Sequence, residues 1–179
     1  MSKRVQKINF YIGMSKIGQT PLGKDSLKYF IIPDWWDKTI TVYNKYTDPI
    51  TRVIKWYRTV IDNCFWQNVG SEIIVNNSVV KSFNLICRIP ESDLYVQYEN
   101  WVSLPNDMMF NYFTLNSGDI IYKGLNTFEI DEYKNGSRST DFLNKFKSNC
   151  LEIKGFSVNT MTGINIPHYR VVGNWWTLM

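Results

Sequence analysis

Residues 38–61 decide the fold, and they read KTITVYNKYTDPITRVIKWYRTVI. Within residues 39–46, apolar and polar side chains alternate, which places Ile40, Val42 and Asn44 on one face of a strand. This period of two belongs to a β-strand and not to a helix. The first half of the stretch therefore predicts a strand with a buried face.

A turn and a second strand follow in the same stretch. Thr47-Asp48-Pro49 has the composition of a turn, and residues 53–61 are rich in β-branched and aromatic residues. The two strands are separated only by the link 47–52, which is short enough for them to pair. We predict an antiparallel hairpin.

The rest of the chain continues the β pattern. It contains no alanine but has seven Trp, eleven Tyr and ten Phe, a composition that favours strands over helices. Further strands are predicted at 73–75, 79–89, 94–97, 119–124, 156–159 and 169–175. The sequence therefore predicts a mainly β fold, a small β-barrel or sandwich.

One segment has helical periodicity instead. Phe142, Phe146 and Cys150 recur at every fourth position after Ser139-Thr140, whose hydroxyls suit the start of a helix. We predict a single late helix at about 140–151.

Charge and composition divide the chain into an arm and one domain. Residues 1–37, with scattered Gly and Pro, are interpreted as an extended N-terminal arm, and 38–179 as the barrel domain. Residues 1–30 carry six basic side chains against one acidic, whereas 62–132 carry ten acidic against three basic. A long loop is predicted at 99–117.

Several classes of function lack their signatures. The sequence contains one histidine, His168, and it has no CxxC pair, phosphate-binding loop or HExxH motif. We therefore expect no enzyme activity, no cofactor and no metal site. The odd number of cysteines, with no signal peptide or membrane span recognised, predicts reduced thiols in an intracellular or particle-borne protein.

Two arrangements of reactive side chains are disfavoured as catalytic sites. Cys64, Cys87 and Cys150 lie on no recognisable nucleophile turn, so a Cys–His pair with His168 is disfavoured. The acidic side chains in the second half of the chain are interpreted as a solvated loop, and they are Asp119, Glu129, Asp131 and Glu132.

Binding of single-stranded nucleic acid is an alternative. Trp56-Tyr57-Arg58, or Trp35-Trp36, would offer a platform on which bases stack. The acidic middle of the chain argues against it, because carboxylates repel phosphate.

Adjacent tryptophans indicate a surface for a partner subunit. In Trp35-Trp36 and Trp175-Trp176, one member of each pair would point outward from a strand. Outward aromatic side chains are typical of interfaces. We predict these four residues as subunit-interface candidates.

The order of the motifs resembles that of short proteins encoded in the head–tail modules of phages and prophages of Firmicutes. The residues that carry the resemblance span about 38–175, and they are Thr41–Tyr46, Trp56–Ile61, Cys64–Trp66, Arg88–Pro90, Phe113-Thr114, Gly118–Gly124 and His168–Gly173.

The resemblance implies a head–tail connector protein of the head-completion or stopper kind. Such a protein is a small β-barrel in a closed ring, of about six or twelve copies, below the portal and its adaptor. It retains packaged double-stranded DNA and offers a platform for the tail, within a virion assembled in the host cytoplasm. An adaptor or tail-terminator ring is the alternative.

Loops that reach the channel or the next ring are expected in two places. One is the turn at residues 76–78, and the other is the long loop 99–117, which combines Pro, Asn and flexible Met. The candidates for channel or ring contact are Asn76, Asn77, Pro105, Asp107, Met108 and Met109.

Overall fold

The computed structural model describes residues 32–75, 78–160 and 166–175. For 69–75, 78–84 and 174–175 it describes the backbone alone. Most of the predicted N-terminal arm therefore lies outside the described residues.

Six antiparallel strands close into one barrel, in the order β1-β2-β3-β6-β5-β4. They are β1 (Lys38–Thr47), β2 (Ile54–Val75), β3 (Ser78–Pro90), β4 (Ile120–Lys123), β5 (Cys150–Asn159) and β6 (His168–Trp175). The predicted fold class, mainly β with one late helix, is confirmed. Among the described helices, none is long and apolar enough to cross a membrane.

The hairpin predicted at 38–61 is present. β1 and β2 pair antiparallel, and Ile40, Val42 and Asn44 are buried as the alternation predicts. In the turn between the strands, the Asp48 carboxylate accepts the backbone N–H groups of Ile50 and Thr51, both at 2.8 Å. These bonds satisfy donors that the strands leave free.

The opposite face of β1 is buried as well, which the alternation did not predict. Tyr43 is covered by the late helix, and its ring centroid lies 4.8 Å from that of Phe142. Thr41 donates its hydroxyl to the carbonyl oxygen of Gly124 at 2.7 Å. β1 therefore lies between the barrel interior and a second apolar cluster outside it, which includes Ile130 and Leu143.

The late helix is shorter than predicted. The helix α2 covers Ser139–Phe146, a 3-10 turn follows, and Cys150 begins β5. Cys150 lies beyond the end of the helix and pairs with Tyr122 in the ladder between β4 and β5. Cys150 is buried in the same cluster as Phe142, as the apolar spacing predicted. It reaches that cluster from a strand and not from the helix.

The strand predicted at 94–97 is wrong. Tyr95 makes only an isolated bridge to Phe113, and the short helix α1 (Tyr98–Trp101) follows. The predicted loop 99–117 therefore contains regular structure, including a 3-10 turn at Met109–Asn111. Trp101 anchors this segment, since its indole N–H donates to the carbonyl oxygen of Met109 at 3.3 Å.

The β2–β3 hairpin continues beyond the barrel. β3 pairs with β6 from Asn84 to Pro90, whereas residues 78–83 pair only with residues 70–75 among the described strands. At about 3.4 Å per residue, this length gives a two-stranded extension of roughly 20 Å. We call residues 70–75 and 78–83 the β2–β3 ribbon. The sequence predicted strands here, but not one continuous β2 of 22 residues.

Candidate functional site

An open cavity of about 450 Å³ lies on the outside of the barrel, and we call it the aromatic cleft. It is lined by Tyr43, Trp56, Tyr57, Arg58, Phe110, Phe128, Glu129 and Ile130. Its volume is in the range of small-ligand and side-chain pockets.

Four segments that are distant in sequence bring these residues together. Tyr43 and Arg58 are direct partners in the β1–β2 ladder, and Trp56 lies two positions from Arg58 on the same strand. Phe110 comes from the 3-10 turn of the 99–117 segment, and residues 128–130 come from the connection between β4 and α2. The barrel wall forms the floor of the cleft, and the two connections form its sides.

Hydrogen bonds fix the connection 126–133 to the barrel wall. The Trp56 indole N–H donates to the Glu132 carboxylate at 2.9 Å, and the Tyr43 hydroxyl donates to the carbonyl oxygen of Phe128 at 3.0 Å. The Arg58 guanidinium donates to the carbonyl oxygen of Asn126 at 3.1 Å. Burial raises the pKa of the Tyr43 hydroxyl, which keeps it protonated as a donor.

The opposite side is tied to the floor by a second set of aromatic contacts. The Tyr57 hydroxyl donates to the Asn106 side-chain oxygen at 3.3 Å, and the Tyr57 ring meets the buried Trp101 edge-on at 5.5 Å. Phe110 is left exposed at the mouth. The cleft is therefore held from both sides while one aromatic ring remains available to a partner.

Charges of both signs lie at the cleft, where the Lys145 ammonium is 5.6 Å from the ring centroid of the lining residue Phe128. Glu129 lines it and is exposed, and Asp131 and Glu132 follow on the same connection. Arg58 is the cation among the lining residues. Aromatic walls beside carboxylates suit a ligand that carries both a cationic and an aromatic group.

Neither of the two predicted stacking platforms presents all of its side chains to a ligand. Trp56, Tyr57 and Arg58 do line one cleft, but Trp56 and Arg58 already bond to the connection 126–133. The other platform, Trp35-Trp36, splits into an exposed Trp35 and a buried Trp36.

The predicted interface tryptophans fall in different places. Trp35 is 66% exposed, whereas Trp36 packs on Phe65 and, edge-on at 5.6 Å, on His168. Trp175 ends β6, with only its backbone described, and Trp176 lies outside the described residues.

The predicted loop candidates also separate. Pro105, Asp107 and Met108 are exposed beside the cleft-forming 3-10 turn, whereas Met109 is fully buried. In this chain Met109 is a core residue. Asn76 and Asn77 lie outside the described residues, between the two strands of the ribbon.

Both ring nitrogens of His168 are engaged in hydrogen bonds within the barrel domain. Its Nδ1 lies 2.7 Å from the carbonyl oxygen of Ile166, so it donates there, and its Nε2 accepts from the Asn159 amide at 3.2 Å. The three cysteines are free and buried, and burial raises the pKa of Cys150 to about 12. Thiols held in this way are poor nucleophiles.

The prediction that the four acidic side chains form a solvated loop is wrong for Asp119, because it directly precedes β4 and is buried against β1. Asp119 is buried and accepts hydrogen bonds from the Asn44 amide and the backbone N–H of Lys45, both at 2.8 Å. The other three acids, Glu129, Asp131 and Glu132, lie at the cleft. Within the described part of the chain, no group of His, Cys, Asp and Glu is arranged to hold a metal ion.

Sequence reasoning missed Phe110 and Phe128 as cleft residues. Phe110 lies in a three-residue 3-10 turn and Phe128 in the connection between β4 and α2, so neither belongs to an element long enough to show a periodicity. The one usable signal was the high aromatic content, which exceeds what a single small core can bury.

In a comparison with protein families, residues 35–174 match the model of DUF6751, which is described as a family of unknown function. The chain belongs to the DUF6751 family. The matched region of this DUF6751 member includes all six strands up to Asn174, the β2–β3 ribbon and the aromatic cleft. Comparison with curated proteins and with solved structures found no match.

Proposed function

We propose that this chain is a structural subunit of a phage head–tail connector, of the stopper or head-completion kind. It forms a ring below the portal and its adaptor, retains the packaged double-stranded DNA and carries the attachment of the tail. The observation that carries the proposal is the β2–β3 ribbon, which extends beyond a closed barrel. The resemblance of the motifs to head–tail module proteins supplies the biological setting.

The ribbon has the properties of a segment that an assembly covers. A two-stranded ribbon is marginally stable in water by itself. Its distal half is apolar in sequence, with Ile73-Ile74-Val75 on one strand and Val79-Val80 on the other. No third strand among those described pairs with the ribbon, and unpaired strand edges are sites where another chain can pair, which favours a protein that works in contact with other copies.

In a ring of copies, the ribbons can narrow the central channel. Cyclic symmetry places the same segment of every copy at the same distance from the axis. When the ribbons point toward the axis, their apolar tips pack against one another and narrow the bore. Residues 76–78, predicted from the sequence as a turn that contacts the channel, then lie at the constriction that holds the DNA.

The charge of the barrel surface supports a DNA passage. Six acidic side chains in the acidic middle of the chain are exposed, and they are Asp62, Asp93, Glu99, Asp107, Glu129 and Asp131. Repeated in every copy, these carboxylates repel a duplex and keep it from adhering. Binding of single strands, the alternative from another class, is disfavoured by the same charges.

An adaptor or a tail terminator would also be a ring, and the neighbours of the ring distinguish these roles. A stopper contacts the adaptor on one side and the tail on the other. Cross-linking of assembled particles therefore assigns the position, with the stopper role requiring contacts to both.

Shortening the ribbon tests the proposal. Residues 73–80 are deleted and Glu72 is joined to Lys81 through Asn-Gly, a favoured hairpin turn. The barrel keeps its pairings, because no third strand among those described pairs with the deleted residues. We expect particles that incorporate the variant but lose their packaged DNA.

The matched control changes the opposite hairpin. Ile50, which is 89% exposed in the β1–β2 turn, is replaced in Ile50→Asn. This variant should retain DNA like the unmodified protein. Full DNA retention in particles that contain the shortened ribbon would contradict the stopper function.

A further inference from the structure

We propose that the aromatic cleft binds the N-terminal segment, residues 1–31, of a neighbouring copy of this chain. The inference rests on the proposed ring, since a ring holds a second copy beside the cleft. It assigns the cleft an occupant and the N-terminal segment a docking site.

The cleft has the chemistry to bind a basic, aromatic peptide. Phe110 is 56% exposed at its mouth, and Glu129 is an exposed carboxylate on its wall. An ammonium group binds to carboxylates and to the faces of aromatic rings. The volume of about 450 Å³ accommodates side chains of a peptide rather than a folded domain.

The N-terminal segment has the complementary composition. Its first 30 residues carry six Lys and Arg against a single Asp. Within it, Lys7 is followed closely by Phe10 and Tyr11, so a cation and two rings fall within one short stretch. The stretch therefore offers a cation to the exposed Glu129 carboxylate and aromatic rings to Phe110 at the mouth of the cleft.

The chain enters β1 at a distance from its own cleft that the segment can also span, so the choice of a neighbouring copy rests on the proposed ring and is tested below by mixing copies. The chain enters β1 at Lys38, which pairs with Cys64, while the cleft residue Tyr43 pairs with Arg58 farther along. The cleft therefore lies about 17 Å along the strand from the point of entry, at a rise of about 3.4 Å per residue. The segment that precedes β1 joins the barrel at the end away from its own cleft.

The length of the segment is sufficient to reach another copy. Residues 12–31 span up to about 66 Å when fully extended. That span is about twice the length of the ten-residue β1. A segment on one copy and a cleft on the next are different surfaces, and such head-to-tail contacts are the kind that close a ring.

The test uses the full chain with a photo-cross-linking benzoylphenylalanine in place of Phe10. Equal amounts of isotopically light and heavy protein are mixed and irradiated at concentrations up to about 1 mM, where even a contact with Kd near 1 mM is substantially occupied. We expect cross-links to residues 105–112 or 126–133. About half of them should join light to heavy copies, as equal mixing requires.

A charge reversal in the cleft and a matched control complete the design. Glu129→Lys should lower the cross-linking yield at least tenfold, and Asp93→Lys, a reversal at an exposed site between β3 and α1, should leave it unchanged. Circular dichroism verifies that both variants are folded.

Three results overturn the inference. They are cross-links confined to single copies, cross-links outside the cleft, and no cross-link at the highest concentration. Because the test needs no virion, a negative result here leaves the connector function to be decided by the ribbon experiment and by the copy number in particles.

Discussion

The side-chain amide of Asn44 donates to the carboxylate of Asp119 at 2.8 Å, and both residues are buried. The same amide donates to the carbonyl oxygen of Thr114 at 2.7 Å. Asp119 also accepts the backbone N–H of Asn116 at 3.0 Å. This network joins β1 to the segment that precedes β4, the strand that closes the barrel.

Removing the Asn44 side chain should destabilise the barrel. In Asn44→Ala the buried side chain of Asp119 and the carbonyl oxygen of Thr114 both lose their donor, so we expect a loss of about 2–3 kcal/mol in the free energy of unfolding. Asn144→Ala, on an exposed face of α2, should change it by less than about 0.5 kcal/mol. Urea denaturation measures both, and equal effects would contradict the role of the network.

Asp119 should make stability depend on pH. Burial raises its pKa to about 7 from an ordinary value of 3.8, so between these values the folded state binds the proton more tightly than the unfolded state. Stability therefore falls as pH rises through this window, by up to about 1.4 kcal/mol per pH unit. Relative to Asp119→Asn, the wild-type chain should lose stability between about pH 4 and pH 7. A difference that does not vary with pH would contradict this.

Gly173 should tolerate no side chain. A Cβ at this position would collide with the backbone oxygen of Glu152 and approach the Leu151 side chain to 2.8 Å, where β5 and β6 pair. We expect Gly173→Ala to cost about 1–3 kcal/mol, since the two strands must move apart. Gly155→Ala is the control, because nothing lies within 4 Å of a Cβ there. Thermal melts of the two variants compare them directly, and the prediction requires that only Gly173→Ala lower Tm.

The bond between Trp56 and Glu132 should hold the cleft in shape. Trp56→Phe keeps an aromatic ring but removes the N–H donor. We expect the connection 126–133 to open locally, with amide exchange about five-fold faster, as the loss of about 1 kcal/mol implies. Hydrogen exchange of the Asp131 amide, which donates to Ser137 at 2.8 Å, reports the change. Core amides in β3 should exchange as before, and acceleration there instead would mean that the whole barrel had been weakened.

Local patterns predicted the barrel far better than the cleft. The alternation in residues 39–46 predicted β1 because burial follows that period on the interior face. The helix prediction overran because Cys150 satisfies the apolar period from a strand. The local sequence does not show whether Cys150 is buried as part of the helix or as part of a strand. Its pairing with Tyr122 of β4 makes it part of a strand.

The cleft depends on contacts between residues far apart in the chain. Tyr43 and Phe128 are separated by 85 positions, yet the hydroxyl of one bonds to the carbonyl of the other. Phe110 and Phe128 have no periodic pattern of their own, so only the folded structure shows that they line the same cleft. The extent of the β2–β3 ribbon was likewise hidden, because residues 62–72 do not alternate regularly.

The copy number of this chain in purified virus particles tests the central claim most directly. Quantitative peptide mass spectrometry compares its amount with that of the portal protein in the same particles. The connector function predicts a fixed, small copy number that fits a closed ring, of about six or twelve copies. Absence from purified particles, or hundreds of copies in each, would contradict it.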